Sequence, residues 1–325
     1  MKHFKLPSVV FKVPTRLKIA ILLFLSCFVM YMLRVNLSLI MISMMQDEEL
    51  SVKWTKKDQS FVLGAYFYGY LSTSLIASII VRKFSSKDLI GLSIFASGVI
   101  TALSVLSVQE SIVPFFMTRF VLGGLAGFIY PSVHDLISRW SPPDEKGKFV
   151  FTMLGGNFGT IVTWSTFGPI IDSLDWKCAL YISAVISMLF AVIWLCFVAD
   201  APDKHSSISK TELEYIQNSL GDSVSKVQDQ PLPIWDILTS VPFMALLVLQ
   251  FGNLFGLFFL ITATPRFMME VLGFKLANAG CISSIPYLLR IIFGFLFGWI
   301  GDYQRNSKVL KVTVIRKFYC IFCKL

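Results

Sequence analysis

Long apolar runs alternate with short polar joints along this chain, and the pattern predicts eight membrane-spanning helices. About 20 residues, each rising about 1.5 Å, are needed to cross the hydrocarbon core of a bilayer. The predicted spans are 18–45, 60–81, 88–108, 112–137, 148–171, 177–199, 241–265 and 277–301. One joint, 200–240, is long, charged and flanked by prolines. The pattern therefore predicts an all-α membrane protein with a six-helix half at 1–199, a connecting loop at 200–240 and the start of a second half at 241–325.

The connecting loop contains a signal for the start of a helix. Ser209-x-x-Glu212 matches the capping box, in which the two side chains satisfy the first backbone N–H groups of a helix. We expect a short surface helix from this point to about Leu220, with Leu213 and Ile216 on one side.

The positions of lysine and arginine predict the orientation of the chain. Of the 29 such residues, 20 lie on the side of the N-terminus, six lie on the opposite side and three lie within spans. Because positive residues favour the cytosolic side, we expect the N-terminus and the 200–240 loop to be cytosolic. The net charge of +9 then reflects topology, and nucleic acid is not an expected partner. A composition with 55% hydrophobic and 15% charged residues excludes an ordinary soluble domain.

Three arginines, Arg34, Arg119 and Arg290, lie inside predicted spans, where each costs roughly 2.5–3.5 kcal/mol on insertion scales. Counting from the span ends places Arg34 and Arg119 at a similar depth in the outer half of the bilayer, with Arg290 nearer the midplane. All 20 acidic residues lie in loops or at span ends. Two cations at one depth without a carboxylate between them predict an anion site. The alternative for Arg119 is a side chain that reaches back to the membrane surface.

Polar groups on neighbouring spans could complete such a site. Tyr66, Tyr68 and Tyr70 in the second span and Asn157 in the fifth can donate hydrogen bonds to carboxylate or phosphate oxygens. The tyrosines could equally serve core packing or an interfacial belt. His134, near the end of the fourth span, could titrate and couple transport to protons, or it could be a structural hydrogen-bonding group.

Motifs of enzymes and metal sites are not found in the sequence. It contains no nucleotide-binding loop, no zinc spacing and no nucleophile elbow, so we do not expect an enzyme. Cys320-x-x-Cys323 lacks a second pair of ligands, and no metal site is expected there. Gly123-Gly124-x-x-Gly127 does not follow a predicted strand. The spacing of Gly123 and Gly127 instead favours the close approach of another helix.

An ordered series of motifs runs through most of the chain. It consists of Arg34-Val-Asn-Leu-Ser38, Leu63-Gly-Ala-Tyr-Phe-Tyr-Gly-Tyr70, Arg119 with Gly123, Tyr130-Pro131 and His134, Trp140-Ser-Pro-Pro143, Gly155–Gly159, His205–Tyr215, Phe251–Phe274, Ser283-Ser-Ile-Pro-Tyr287 and Gly298-Trp-Ile-Gly-Asp302. The series resembles the anion:cation symporters of the major facilitator superfamily, which include sialin, the vesicular glutamate transporters and the type I sodium-dependent phosphate cotransporters.

The resemblance implies a helix bundle in which about eight of an expected twelve spans are present. It further implies symport of inorganic phosphate or of a small organic anion such as a carboxylate by alternating access. The coupling ion would be Na⁺ or H⁺, with no other cofactor, in the plasma membrane or an endolysosomal or vesicular membrane. The family's substrate positions correspond to Arg34, Tyr70, Arg119 and Asn157. The oligomeric state stays open.

Several residues depart from the family pattern. Asn157 replaces an expected glutamine, Ala126 stands where many members carry a glutamate for proton coupling, and Leu63 and Asn253 replace a histidine and an arginine of the vesicular glutamate transporters. These departures argue against glutamate as substrate and against coupling through a carboxylate, which leaves Na⁺ or His134. Arg290 is unexpected at its position.

The resemblance also leaves four spans of the second half unmatched. An alternative function follows from this, in which the chain is a truncated, non-transporting membrane protein that associates with or interferes with full-length transporters.

Overall fold

Apolar helices form nearly the whole of the described structure, as the hydropathy pattern predicts. The computed structural model describes residues 14–45, 47, 54–145, 147, 149, 151–220, 234–307, 314 and 317. Its α-helices are α1 (Thr15–Met44), α2 (Lys56–Lys83), α3 (Ser86–Glu110), α4 (Ile112–Ala126), α5 (Ile129–Trp140), α6 (Gly155–Leu174), α7 (Trp176–Phe197), α8 (Lys210–Leu220), α9 (Ile234–Leu238), α10 (Val241–Glu270) and α11 (Leu276–Asn306). Short 3₁₀ turns lie at Pro143–Glu145, Phe151–Leu154 and Pro202–Lys204.

Seven helical segments within the described residues are long and apolar enough to cross a membrane, counting α4 and α5 as one. Each corresponds to a predicted span. The remaining prediction, 148–171, corresponds to α6, which is not among the seven. Gly155, Gly156 and Gly159 and several threonines make α6 less apolar, and much of its surface packs against α1 and α11 instead of facing lipid.

The predicted fourth span, 112–137, is two helices in the structure, and it ends later, at Trp140. Pro131 has no N–H to donate to the carbonyl of Gly127, and its ring crowds that carbonyl. The Gly127 N–H donates to the carbonyls of both Gly123 and Gly124, at 3.1 and 3.2 Å, and the backbone tightens there. The break between α4 and α5 therefore lies one turn before Pro131.

Helices α2 and α4 pack with their backbones in direct contact. A methyl group on Gly69 would overlap the carbonyl of Phe120, and one on Gly123 would overlap the carbonyl of Tyr66. The Thr73 hydroxyl, on α2, donates a hydrogen bond of 2.7 Å to the Gly124 carbonyl. The expected close approach of another helix at Gly123 is confirmed, and this contact fixes the position of α4.

Helix α1 lies at the centre of the bundle and packs on α6, α7 and α10. A methyl group on Gly155 would overlap the carbonyl of Phe24, so α6 also approaches α1 closely. The Asn36 amide donates to the Ser183 hydroxyl at 3.0 Å, and the Trp164 indole N–H contacts the Val35 carbonyl at 3.3 Å. These buried bonds hold α6 and α7 in a defined position around α1.

Helix α8 of the connecting loop binds the N-terminal end of α1. Both carboxylate oxygens of Glu212 accept backbone N–H groups, one from Thr15 and one from Arg16, each at 3.0 Å. The predicted capping box is therefore half right. The Ser209 hydroxyl accepts the Glu212 N–H at 3.2 Å. The Glu212 side chain, however, caps α1, whose own N-cap residue Pro14 has no side-chain acceptor.

Helices α10 and α11 contact fewer other helices of the bundle than α1 does. At the start of α11, the Ala277 N–H donates to the Asp172 carboxylate at 3.1 Å. A methyl group on Gly280 would overlap the carbonyl of Trp164. Helix α10 packs mainly on α1 and α11 and is otherwise largely exposed. The division of the chain into 1–199, 200–240 and 241–325 remains a prediction.

Candidate functional site

Arg34 of α1 and Arg119 of α4 line the same small cavity inside the bundle. Its volume is about 20 Å³, which is room for about one water molecule. The other lining residues come from α1, α2 and α10, and they are Leu37, Ser38, Leu63, Tyr66, Phe67, Ile261 and Thr262. We call this space the arginine cavity.

Aromatic rings surround the guanidinium of Arg34. Its central carbon lies 4.4 Å from the ring centroid of Phe258, 5.0 Å from Phe67, 5.3 Å from Tyr66 and 5.4 Å from Tyr31. A cation above an aromatic face is attracted to the negative charge of that face. The rings therefore stabilise the charge without occupying its N–H groups.

Arg119 is buried more deeply than Arg34. It is 1% exposed, and its guanidinium lies 5.2 Å from the Phe115 ring centroid. It lies inside the protein, so the alternative in which Arg119 reaches back to the membrane surface is wrong. Its position follows from the packing of α4 on α2, because Gly123, one turn further on, contacts the backbone of Tyr66.

The hydrogen-bonding groups of both arginines are largely unsatisfied. Nε and Nη2 of Arg34 and of Arg119 are buried without a hydrogen-bond partner among the described residues. Buried charges in proteins are normally paired, because desolvating an unpaired charge is costly. A planar guanidinium matches a carboxylate or phosphate through two parallel N–H···O bonds. The four nitrogen atoms therefore suit an anion placed between the two side chains.

A larger cavity of about 370 Å³ adjoins the arginine cavity and shares Ser38, Leu63 and Thr262 with it. It lies toward the end of α1 and the start of α2, and we call it the vestibule. Lys56 of α2 and Glu270 of α10 both line it and form an ion pair of 3.6 Å. The vestibule leads from that end of the bundle to the arginines.

The remaining predicted site residues lie outside the arginine cavity. Tyr70 is half-buried on α2, one turn beyond Tyr66. Asn157 is half-buried in the first turn of α6, and the described residues include no hydrogen-bond partner for its amide. His134 is exposed on α5. The structure thus brings the two arginines together and leaves these three side chains apart from them.

The sequence predicts Tyr66 only as one of three tyrosines that could complete the site, and it does not predict the contact of Phe258 with Arg34. Leu63, Tyr66, Phe67 and Tyr70 follow the spacing of one helix face, and Tyr68, which is 56% exposed, lies on another. That spacing places Tyr66, and not Tyr68, on the helix face that carries Leu63 and Phe67, the other α2 residues of the cavity. Phe258 lies in α10, and no local signal connects it with α1.

Comparison with known proteins covers nearly the whole chain. Residues 19–322 match the family model described as Major Facilitator Superfamily. Sialin of Homo sapiens is 28% identical over 94% of this chain and 67% of its own length. Vesicular glutamate transporter 1 of Bos taurus is 25% identical over 94% of this chain and 58% of its own. A "Putative inorganic phosphate cotransporter" of Drosophila melanogaster is 30% identical over 84% of this chain and 52% of its own. The chain thus spans about half to two thirds of these relatives' length.

Solved structures share the same arrangement of helices. A D-xylose-proton symporter matches with a TM-score of 0.63 at 15% identity, over 90% of this chain and 69% of its own. A bacterial homolog of the human lysosomal transporter Spinster, inward-facing and occupied, matches with a TM-score of 0.64 at 14% identity, over 89% of this chain and 62% of its own. At these identities the likeness shows the fold.

Proposed function

Because the chain belongs to the Major Facilitator Superfamily, a family of membrane transporters and not of enzymes, we propose that it binds and carries a small anion by alternating access. The substrate is inorganic phosphate or a small organic anion such as a carboxylate. One observation carries the proposal: Arg34 and Arg119 line a single cavity and hold four buried nitrogen atoms without hydrogen-bond partners among the described residues. The names of relatives agree, since glutamate and phosphate are both anions.

The proposed transport step is a rocking of α10 against α1. A cavity of about 20 Å³ is too small for phosphate or a carboxylate, so binding requires the cavity to widen. Phe258 of α10 lies on Arg34 at 4.4 Å, and its withdrawal would expose the guanidinium. Transporters of this kind alternate by moving one helix bundle against another around a central site. Tyr70 and Asn157 would then donate hydrogen bonds to the substrate in the widened cavity.

Coupling to Na⁺ or H⁺ is part of the proposal. Ala126, buried on the same helix as Arg119, cannot carry a proton. His134 is therefore the proposed titrating group if protons are coupled. Uptake by His134→Gln should then lose its pH dependence. An unchanged pH profile together with no effect of Na⁺ would exclude both coupling routes.

The chain is a multi-pass membrane protein, and we propose a cytosolic N-terminus in the plasma membrane or an endolysosomal or vesicular membrane. The uneven distribution of lysine and arginine supports this orientation. Exposed Lys57 and Glu214 lie on opposite predicted sides. In a background without native cysteines, a membrane-impermeant thiol reagent should label Lys57→Cys and spare Glu214→Cys, either in intact cells or, for an intracellular membrane, from the lumenal side. The reverse labelling would invert the topology.

Binding to the purified chain tests the anion site. Calorimetric titration with phosphate, butyrate and glutarate should detect binding of at least one of them to the wild type. Arg34→Gln and Arg119→Gln should each weaken that binding by about 100-fold, since each removes about 3 kcal/mol of charge-assisted hydrogen bonding. Lysine at either position should restore little, because an ammonium lacks the planar geometry of a guanidinium. Arg139→Gln, which breaks a pair of 2.9 Å with Asp135, is the matched control. Equal binding by the wild type and both glutamine variants would refute the site.

A second candidate is a non-transporting chain that associates with full-length relatives. The observation in its favour is the exposed face of α11, where a methyl group on Gly294 or Gly298 would meet nothing within 4 Å. Uptake into liposomes by the 325-residue chain separates the two candidates. Saturable anion uptake above that of Arg119→Gln supports a transporter. Binding without uptake, together with co-purification of a tagged full-length relative, supports an associating chain.

A further inference from the structure

Arg290 of α11 lines a further cavity, distinct from the arginine cavity and from the vestibule. We propose that Arg290 binds a second acidic group of the substrate, so that the substrate is an organic anion with two acidic groups, of which a dicarboxylate is the simplest. This inference rests on the proposed binding of one acidic group by Arg34 and Arg119. It adds a substrate class and a further specificity-determining residue.

The depth of Arg290 in the membrane calls for a polar neighbourhood. It follows the start of α11 at Leu276 by 14 residues, about 21 Å along the helix, and precedes the end at Asn306 by 16 residues, about 24 Å. Neither end lies within reach of a side chain that bends toward water. An arginine in contact with hydrocarbon at this depth costs roughly 2.5–3.5 kcal/mol, and arginines inside membranes generally face a water-filled cavity or the bundle interior.

The further cavity that Arg290 lines provides such a neighbourhood. Its volume is about 560 Å³, and the lining residues are Gly252, Asn253, Gly256, Leu257, Leu260, Pro286, Tyr287 and Arg290. We call it the Arg290 cavity. A methyl group on Gly256 would meet nothing within 4 Å, so this side of α10 is open. Within the described part of the chain, Arg290 has no acidic partner that would neutralise its charge. The cavity therefore combines space for a small organic anion with an unpaired cation and the amide of Asn253.

The two cavities flank the same two turns of α10. Leu257 lines the Arg290 cavity, and the next residue, Phe258, lies on Arg34. One turn later, Leu260 lines the Arg290 cavity and Ile261 lines the arginine cavity. Consecutive residues of one helix thus contact both spaces. A shift of α10 that withdraws Phe258 from Arg34 also changes the wall between them.

Tyr287 of α11 lines the Arg290 cavity and contacts α10, the helix that lies between the two cavities. It is 2% exposed, its ring lies edge-on to Trp164 at 5.4 Å, and its hydroxyl donates to the Leu257 carbonyl at 3.5 Å. The residue after Leu257 on α10 is Phe258, which lies on Arg34. One buried side chain therefore joins the wall of the Arg290 cavity to the helix that covers Arg34. Under the proposal, a shift of α10 opens the wall between the cavities, so that a ligand with two acidic groups contacts both sites and a ligand with one acidic group uses the arginine pair alone.

The test compares butyrate, with one carboxylate, and glutarate, with two, by calorimetric titration of the purified chain. The wild type should bind glutarate at least about tenfold more tightly than butyrate. Arg290→Gln should remove this preference and leave butyrate affinity unchanged. Arg290→Lys, which keeps the charge, should retain part of it. Arg82→Gln removes an exposed arginine at the end of α2 and serves as the matched control.

A second variant tests the cavity without changing a charge. Gly256→Leu places a side chain in open space, so it should fold, fill the Arg290 cavity and reduce the preference for glutarate. A glutarate preference that survives both Arg290→Gln and Gly256→Leu overturns the inference. Equal wild-type affinity for the two ligands also overturns it. If Arg34→Gln binds both ligands as the wild type does, the proposed anion site itself is wrong.

Discussion

Helices α1 and α10 are both 30 residues long and similarly apolar, yet their surroundings differ sharply. In the most apolar stretch of α1, 61% of the residues are buried, compared with 6% for α10. Helix α1 packs on α6, α7 and α10, whereas the main neighbours of α10 are α1 and α11. Hydropathy alone predicts both spans equally well. The comparison shows that it does not reveal which face of a span will contact protein.

Polar side chains within the spans follow the same division. The α1 side of the bundle contains polar pairs such as Asn36 with Ser183, and its two arginines lack such partners among the described residues. Asn253 and Arg290, on α10 and α11, face a large open cavity. Substitutions on the α1 side of the bundle therefore disturb a defined internal packing. Substitutions on the open faces of α10 and α11 should be tolerated.

The largest expected effect comes from filling a close helix contact. Gly69→Leu or Gly123→Leu overlaps a backbone carbonyl of the facing helix, and we expect a loss of at least about 3 kcal/mol and little monodisperse protein. Gly294→Leu makes the same change on α11, where nothing lies within 4 Å, and should behave as the wild type. Fluorescence-detected size-exclusion chromatography measures the folded fraction. Equal yields of all three variants would contradict the contrast between the regions.

A smaller effect of opposite sign is expected from removing a buried charge. Arg119→Met replaces an unsatisfied guanidinium by an apolar side chain and should stabilise the fold by about 2 kcal/mol while abolishing anion binding. Arg290→Met, in an open cavity, should change stability by less than about 0.5 kcal/mol. Apparent melting temperatures in detergent compare the two. A destabilised Arg119→Met protein would mean that the guanidinium has structural partners.

The contact of α8 with α1 predicts a moderate effect. Glu212→Gln removes the negative charge that accepts two N–H groups at the start of α1, so we expect a loss of about 0.5–1 kcal/mol. Glu214→Gln makes the same change two residues away, at an exposed position, and is the control. Thermal unfolding of the two variants tests the difference. Identical melting temperatures would show that the cap does not contribute to stability.

The smallest effect is expected where the two regions meet at the vestibule. Lys56 of α2 and Glu270 of α10 form an exposed ion pair of 3.6 Å, and Lys56→Met should cost less than about 1 kcal/mol. Lys57→Met, next to it and also exposed, is the control. Melting temperatures at low and high salt measure how much the ion pair contributes to stability. A large, salt-independent loss would show a stronger link between α2 and α10 than an exposed pair provides.

Local patterns in the sequence predicted the spans and part of the site. Apolar runs, glycine spacing and charge are properties of short segments, so the helices and the close contact at Gly123 follow from them. Counting residues from the span ends placed Arg34 and Arg119 at one depth, and the structure brings both to one cavity. The pair could be predicted because the depth of a residue in a straight helix depends only on its number in the span.

Tertiary structure alone decided the partners of individual side chains. Glu212 has the spacing of a capping residue for its own helix, yet its carboxylate binds α1. Phe258 covers Arg34 because α10 packs on α1, and Tyr287 contacts the Trp164 ring and the Leu257 carbonyl because α11 packs on α6 and α10. Such contacts join segments far apart in the chain. Their formation depends on which helices become neighbours, and the polar and apolar pattern of a single segment does not contain that information.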